Sequence, residues 1–375
     1  MLFFIFKIYQ RLKKTYPIPR KRLRQRGFLP ALTLSALFFL TAGCALLSPD
    51  PPPLRERQSA PAAVNSPAPL VRHMLALGTV VTLRAEGEEA AAALDESAAR
   101  LHALDALFDA ANPESDIARL NAAAGGDPVA IALETLRLLE ISQAYSARTD
   151  GAWDITIGPL SRLWREAIAR QSVPDENAVR EARALVDWQK LELTPDGHAR
   201  LLEPGMAVDP GGAAKGLALD EVRRIFTAHH IKNGLISLGE SSLCAVGQNP
   251  AQKPWQIALR HPRQKPPARL GVLPLTGALL ASSGDYEHFF IADGRRYHHI
   301  IDPRTGWPTE NGIAGAVLVL PDTDPNVGLS SDILSTILFI LGGDGAALLP
   351  PDASAFLITA DGSITALGAP LPLMP

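Results

Sequence analysis

Cysteine is nearly absent: only Cys44 and Cys244 occur in 375 residues. Once Cys44 is acylated, as expected below, no internal disulfide is left to hold the fold. Cys244 lies in an apolar, strand-like run and reads as a buried small residue, not a nucleophile. Positive charge is also scarce over most of the chain. Nine of the 36 Lys and Arg fall within residues 1–27, leaving 27 basic against 39 acidic residues and a remainder near −12. So acidic a body excludes a nucleic-acid binder, whose phosphate contacts need concentrated positive charge. No internal repeat is present, and the N-terminal apolar run at 28–40 falls short of the roughly 20 residues that a bilayer span needs.

What that N-terminus has is the layout of an export signal. A basic stretch leads into the apolar run, and Thr41-Ala42-Gly43-Cys44 follows at once. Small residues before a cysteine resemble the bacterial lipobox, in which Cys44 would be acylated and become the mature N-terminus. The expected layout is therefore a leader at 1–43, then a lipidated Cys44 opening a Pro/Ala-rich tether at 44–70, then a folded body at 71–375. The body would lie in the bacterial cell envelope, held to a membrane by its lipid and facing the periplasm, with the inner membrane as the expected anchor. A single anchoring helix with an incidental cysteine is the alternative.

Within the body, periodicity predicts a strand pair over 71–85 broken at Gly78. Helices are expected at 88–109, 115–121 and 133–147, and another at 215–229 after a Gly-rich turn. Short strands with turn signals fill 235–301. A strand at 316–320 then leads to an apolar helix at 331–341, stopped by Gly342-Gly343. Mixed helices and antiparallel strands make an α+β fold.

Four clusters carry chemistry. In the first, small residues separate Asp209 from Lys215, a spacing that lets backbone amides approach a phosphate where a helix begins; glycine-rich turns before helices are also often only turns. In the second, Ser283 to Glu287 is followed by His298, His299, Ile301, Asp302 and Arg304. Adjacent strand residues point to opposite faces, so one histidine of the pair serves a given site. No further ligands stand at zinc spacing. In the third, Asp332 and Thr336 are four apart on one face of an apolar helix, a hard-oxygen pair suited to Mg²⁺ or, equally, a helix-start charge with a self-bonded threonine. The fourth is Gly151 to Leu160, in which Trp153 either faces a ring system or joins the core, and Asp154 must be satisfied or exposed.

In this order the clusters resemble the ApbE family, the FAD:protein FMN transferases, over about 75–342. Leu77-Gly78-Thr79 is similar to the family's opening Met-Gly-Thr, and 151–160 to its Asp-Ile-Thr-x-Gly-Pro-Leu segment. Asp209 to Asp220 matches Asp-x-Gly-Gly-x-x-Lys-Gly-x-x-x-Asp, and 283–286, 299–306 and 332–336 complete the set. The chain departs from the pattern at Leu77, at Asp109-Ala110-Ala111 in place of an aromatic stretch, at Pro210, and at Glu240 in place of a second glycine. The resemblance implies an α+β, ApbE-like body related to the T-fold. It implies that FAD, as substrate, contacts Leu77, Ala152, Trp153, Asp154, Asp209, Lys215 and Ile301. It further implies Mg²⁺ held by the Asp332 carboxylate, the Thr336 hydroxyl and main-chain oxygens of Gly212 and Ser335, with His299 as base and Lys215 adding positive charge. The activity implied is Mg²⁺-dependent transfer of FMN from FAD to a Thr or Ser hydroxyl, releasing AMP. The acceptors would be flavoprotein subunits of envelope electron-transfer complexes. Two alternatives share the same residues in whole or part: a Mg²⁺-dependent FAD pyrophosphatase and a non-catalytic flavin-binding lipoprotein.

Overall fold

The computed structural model describes residues 68–375 apart from Pro266. The expected leader, the acylated Cys44 and nearly all of the tether lie outside the described residues. In chain order the elements are β1 (Leu70–Ala76), β2 (Thr79–Glu86), α1 (Ala90–Phe108), α2 (Asp116–Ala122), β3 (Val129–Ala130), α3 (Leu133–Arg148), α4 (Gly158–Arg170) and α5 (Glu176–Ala184). Then follow β4 (Leu191–Thr194), β5 (His198–Leu201), α6 (Ala214–Ala228), β6 (Asn233–Leu238), β7 (Ser242–Val246), β8 (Trp255–Arg260), β9 (Arg269–Leu275) and β10 (Ala278–Gly284). The chain continues with β11 (Phe289–Ala292), β12 (Arg295–His298), β13 (Ile313–Pro321), α7 (Val327–Leu341), β14 (Ser354–Thr359) and β15 (Ile364–Gly368).

Eight strands form one antiparallel sheet in the order β1-β2-β6-β7-β10-β13-β14-β15. Its central strands are apolar on both faces because both are covered. Cys244, Leu279, Ala316, Leu318, Ala355 and Leu357 face the helices. Their immediate neighbours Ala245, Leu280, Val317, Val319, Phe356 and Ile358 face Trp255, Leu259, Leu273 and Leu275 of the β8–β9 hairpin. The two-residue alternation of a strand sorts these side chains into two cores. On the helical face lie α1, α6 and α7, each supplying buried residues to the larger core. Burial raises the Cys244 thiol well above its ordinary pKa, which leaves it inert.

The helix at 327–341 begins four residues earlier than the apolar pattern predicts. The segment Val327–Leu348 is apolar enough to cross a membrane, but 61% of its most apolar window is buried in the protein, as suits a core helix. It stops at Gly342, whose φ of 59° favours glycine. The β1–β2 hairpin turns through Leu77 and Gly78 with φ of 51° and 69°, the double positive φ of a tight primed turn. Leucine is unusual in that conformation, and Asp105 Oδ1 of α1 secures it by accepting from Leu77 N at 3.0 Å. A smaller cluster stands apart: α4 and α5 enclose Trp164, Tyr297, Phe290 and Ile301 with the β11–β12 hairpin.

Candidate functional site

The core helix α7 carries the first part of the site. It presents Asp332, Ser335 and Thr336 toward the ends of β7 and β10. Ser242 Oγ donates to Asp332 Oδ1 at 2.7 Å. Ser283 Oγ lies 2.9 Å from Ser335 Oγ and 3.1 Å from Thr336 Oγ1. One hydroxyl therefore bonds the Asp332 carboxylate and three more cluster beside it, with Ser335 and Thr336 bonded to the Asp332 main-chain oxygen; the sequence had singled out neither Ser242 nor Ser283 as a site residue. Ser283 stood inside a quoted motif, but Ser242 carried no signal.

The Gly-rich turn closes the cluster from the other side. Asp209 Oδ1 accepts from Gly211 N (2.9 Å), and Pro210 O accepts from the amides of Ala213 and Ala214 (2.9 and 2.8 Å), which coils the chain into α6. Asn121 fixes the approach to this turn: its amide gives Nδ2 to Val208 O (3.0 Å) and takes Val208 N at Oδ1 (2.7 Å). A Cβ built on Gly212 would meet the Trp153 ring at 2.9 Å and Thr336 Oγ1 at 3.8 Å. Gly212 thus sits where any side chain would strike the indole beneath. Structure brings together Gly212, Asp332, Ser335 and Thr336, with the half-buried Lys215 close enough for its charge to act on Asp332.

Asp332 is buried, and its Oδ2 has no hydrogen-bond partner. Desolvation pushes its carboxyl upward, while Lys215, the Ser242 hydroxyl and the Gly216 backbone pull the other way. An unsatisfied buried carboxylate oxygen is costly unless a cation or donor completes it. Among the described residues no three His, Cys, Asp or Glu side chains cluster as metal ligands. Carboxylate, hydroxyl and carbonyl oxygens are instead the set that Mg²⁺ prefers, so the residues present fit that ion.

His298 and His299 do not alternate across a strand, because β12 ends at His298. His298 is buried, with Nε2 at 3.0 Å from Thr309 O, Nδ1 accepting from Ile300 N at 3.2 Å, and its ring edge-on to Phe339. Both ring nitrogens are occupied, which fixes a neutral tautomer; burial lowers its pKa. His299 lies just past the strand, open to solvent on one side and walled on the other. Its amide donates to His288 O (3.1 Å), and its ring stands edge-on to His288 at 5.4 Å. The enclosing walls, then His288, His298 and Lys215, hold its pKa below the ordinary imidazole range. A lowered pKa keeps His299 neutral, and so able to accept a proton, at neutral pH.

The fourth cluster is largely internal. Trp153 and Ala152 are buried, and Trp153 lies against Gly212 rather than open to a ring system. Asp154 is buried too, accepting from Thr156 N (2.8 Å), Thr156 Oγ1 (2.7 Å) and Trp188 N (3.0 Å), so its carboxylate is spent within the chain. Leu77 is half-buried at the hairpin tip against the larger core, whereas Ile301 belongs to the smaller cluster. The turn after Ile301 is braced by Asp302, whose carboxylate takes Arg304 Nε (3.0 Å) and Nη2 (2.7 Å), and by Trp164 Nε1 donating to Gly306 O (2.9 Å). Asp209 keeps a partly exposed carboxylate, 3.3 Å from Arg165.

Comparison with known proteins accords with this geometry. The model of the ApbE family matches residues 77–370. An FAD:protein FMN transferase of Klebsiella pneumoniae is 34% identical over 250 residues, 66% of this chain and 75% of that one. One of Treponema pallidum is 31% identical over 300 residues, covering 74% and 80%. Among solved structures, the apo form of the Pseudomonas stutzeri flavinyl transferase ApbE superposes with a TM-score of 0.69 at 28% identity, covering 81% of this chain and 96% of that one.

Proposed function

This chain belongs to the ApbE family, and from that premise we propose that it is an FAD:protein FMN transferase, moving FMN from FAD to a hydroxyl of a protein acceptor. The observation that carries the reading to this chain's own residues is the unsatisfied, buried Asp332 oxygen on a helix that also carries a cluster of hydroxyls, near Lys215 and the Gly-rich turn.

In the reaction an acceptor Thr or Ser oxygen forms a bond to the FMN phosphorus of FAD. The bond from that phosphorus to the bridging oxygen breaks, and AMP leaves. His299, neutral at working pH, takes the hydroxyl proton, and Lys215 offsets phosphate charge at the start of α6. Asp332 and Thr336, with the main-chain oxygens of Gly212 and Ser335, are the groups that would hold Mg²⁺; when bound, that ion supplies positive charge to the pyrophosphate. Of the residues that the family resemblance assigns to FAD, Leu77, Asp209 and Lys215 are partly exposed and free to meet it, whereas Ile301 is buried in the smaller cluster. Ala152, Trp153 and Asp154 would act from beneath, by shaping the floor.

Incubation of the full-length chain with FAD, Mg²⁺ and a flavoprotein acceptor tests the assignment. Covalent FMN on the acceptor, seen by in-gel fluorescence, is expected. Release of free FMN and AMP with no labelled acceptor would instead identify a pyrophosphatase. The cellular setting is part of the same proposal: Cys44 is acylated, the body faces the periplasm, and the acceptors are flavoprotein subunits of envelope electron-transfer complexes. The leader and Thr41-Ala42-Gly43-Cys44 support it. Wild-type protein should gain a lipid mass that Cys44→Ser lacks; a wild-type chain that keeps residues 1–43 and gains none overturns it.

A further inference from the structure

On the flank of the 302–307 turn lies a concavity of about 600 Å³. Arg180 and Arg183 of α5 wall it on one side, with Arg295 at the start of β12 and Arg304 and Trp307 of the turn on the other. Four guanidinium groups therefore line one hollow, on a chain whose residues beyond 27 sum to about −12. Two of them are neutralised, Arg304 by Asp302 and Arg295 by Glu310. Arg180 and Arg183 have no carboxylate partner among the described residues. Arg180 bonds to Asn177 Oδ1, and Arg183 Nε donates to Arg304 O at 2.5 Å, which leaves most of their donors free. Glu176 is the one acid in the lining.

We propose that this cleft is the docking surface for an acidic segment of the protein acceptor, an inference that rests on the transferase reading above. None of the residues that gather round Asp332 line the cleft, so the FAD-cleaving cluster does not account for it. A macromolecular acceptor needs contacts beyond the single hydroxyl it delivers. One wall of the cleft is the turn that follows His299 and Ile301 in the chain. Charge supplies the selection. An acidic segment is repelled by most of this body and attracted at this hollow, which steers the encounter and fixes its orientation.

The test uses the full-length chain and a fluorescein-labelled octaglutamate peptide, read by anisotropy at low and high salt. Wild type should bind it, more weakly as salt rises. The Arg180→Glu/Arg183→Glu variant should bind about tenfold more weakly. With a protein acceptor the same variant should lose about tenfold in kcat/KM, through KM, with FAD affinity and kcat nearly unchanged. Arg180→Lys/Arg183→Lys, which keeps the charge, should retain peptide binding; loss there as well would make the arginines structural and overturn the proposal. Equal peptide binding by wild type and the Glu variant overturns it, as does loss of AMP affinity with the peptide unaffected, which would mark a nucleotide subsite. A wild type that labels no acceptor sinks the transferase reading, whereas a Glu variant that labels it as wild type does sinks only the docking surface.

Discussion

Asp220 offers the sharpest test of how the site is held. It lies on α6, fully buried, yet its carboxylate serves another helix: Oδ1 accepts from Gly328 N at 2.8 Å and Oδ2 from Leu329 N at 2.9 Å. Those are first-turn amides of α7, whose own N-cap residue, Asn326, makes no side-chain cap bond. Arg223 Nη1 adds an ion pair at 2.6 Å. The helices meet backbone to backbone here, since a Cβ on Gly216 would lie 2.3 Å from Gly328 O. Replacing Asp220 with Ala removes a cap, strands two buried amides and takes one of two carboxylate partners from the half-buried Arg223. Breaking one side of a buried ion pair costs about 3–5 kcal/mol. For a body of this size that corresponds to a fall in Tm of roughly 5–8 °C. Because α7 bears Asp332 and Thr336, the apparent Mg²⁺ affinity of turnover should fall with it. The pH dependence is distinctive. Burial raises the Asp220 carboxyl to about 6, against the pull of Leu329 N, Gly328 N and Arg223. A carboxyl that titrates higher folded than unfolded contributes its stability at low pH and loses it as pH climbs through the folded value. Wild type should therefore lose stability between about pH 4 and pH 6, and Asp220→Asn should lack that slope. Unfolding of the Ala variant within about 1 kcal/mol of wild type, with unchanged Mg²⁺ dependence, would refute the reasoning, since far more is expected from a broken buried pair.

Asp332→Ala should abolish Mg²⁺-dependent turnover while the fold persists, because hydroxyls and carbonyls alone hold a strongly hydrated cation poorly; full activity at limiting Mg²⁺ would contradict it. His299→Asn should keep FAD affinity, measured by flavin fluorescence, and lose roughly 10²–10⁴-fold in transfer rate. Its depressed pKa predicts wild-type activity that is flat through neutral pH and falls only in acid. His298→Asn should instead lower Tm, since it disturbs a buried ring bonded at both nitrogens. Gly216→Ala should cost about 1–3 kcal/mol by calorimetry or denaturant titration, as overpacking does, by forcing α6 and α7 apart.

Much of the molecule was legible before folding because its signals are local. The heptad-like spacing of Leu94, Leu101, Leu104 and Phe108 marks α1, and all four are among the residues it buries. Leu77-Gly78 marks the hairpin turn, and the order of the Asp209, His299 and Asp332 motifs pointed to the family that the comparisons bear out. A period of 2 or 3.6 residues needs only neighbours in sequence to be read. Tertiary structure alone decided the rest. It ended β12 at His298, so that one histidine of the pair is locked in the core and the other faces solvent. It turned Trp153 into the floor beneath Gly212 and spent Asp154 on Thr156 and Trp188. It brought Ser242 and Ser283 to Asp332 and Thr336, and set Asp220 as the cap of a helix over a hundred residues away. Such pairings follow from which strands neighbour one another and where two helices cross. Serines and aspartates carry no periodic trace of a partner so distant in the chain; only the packed sheet and helices select it.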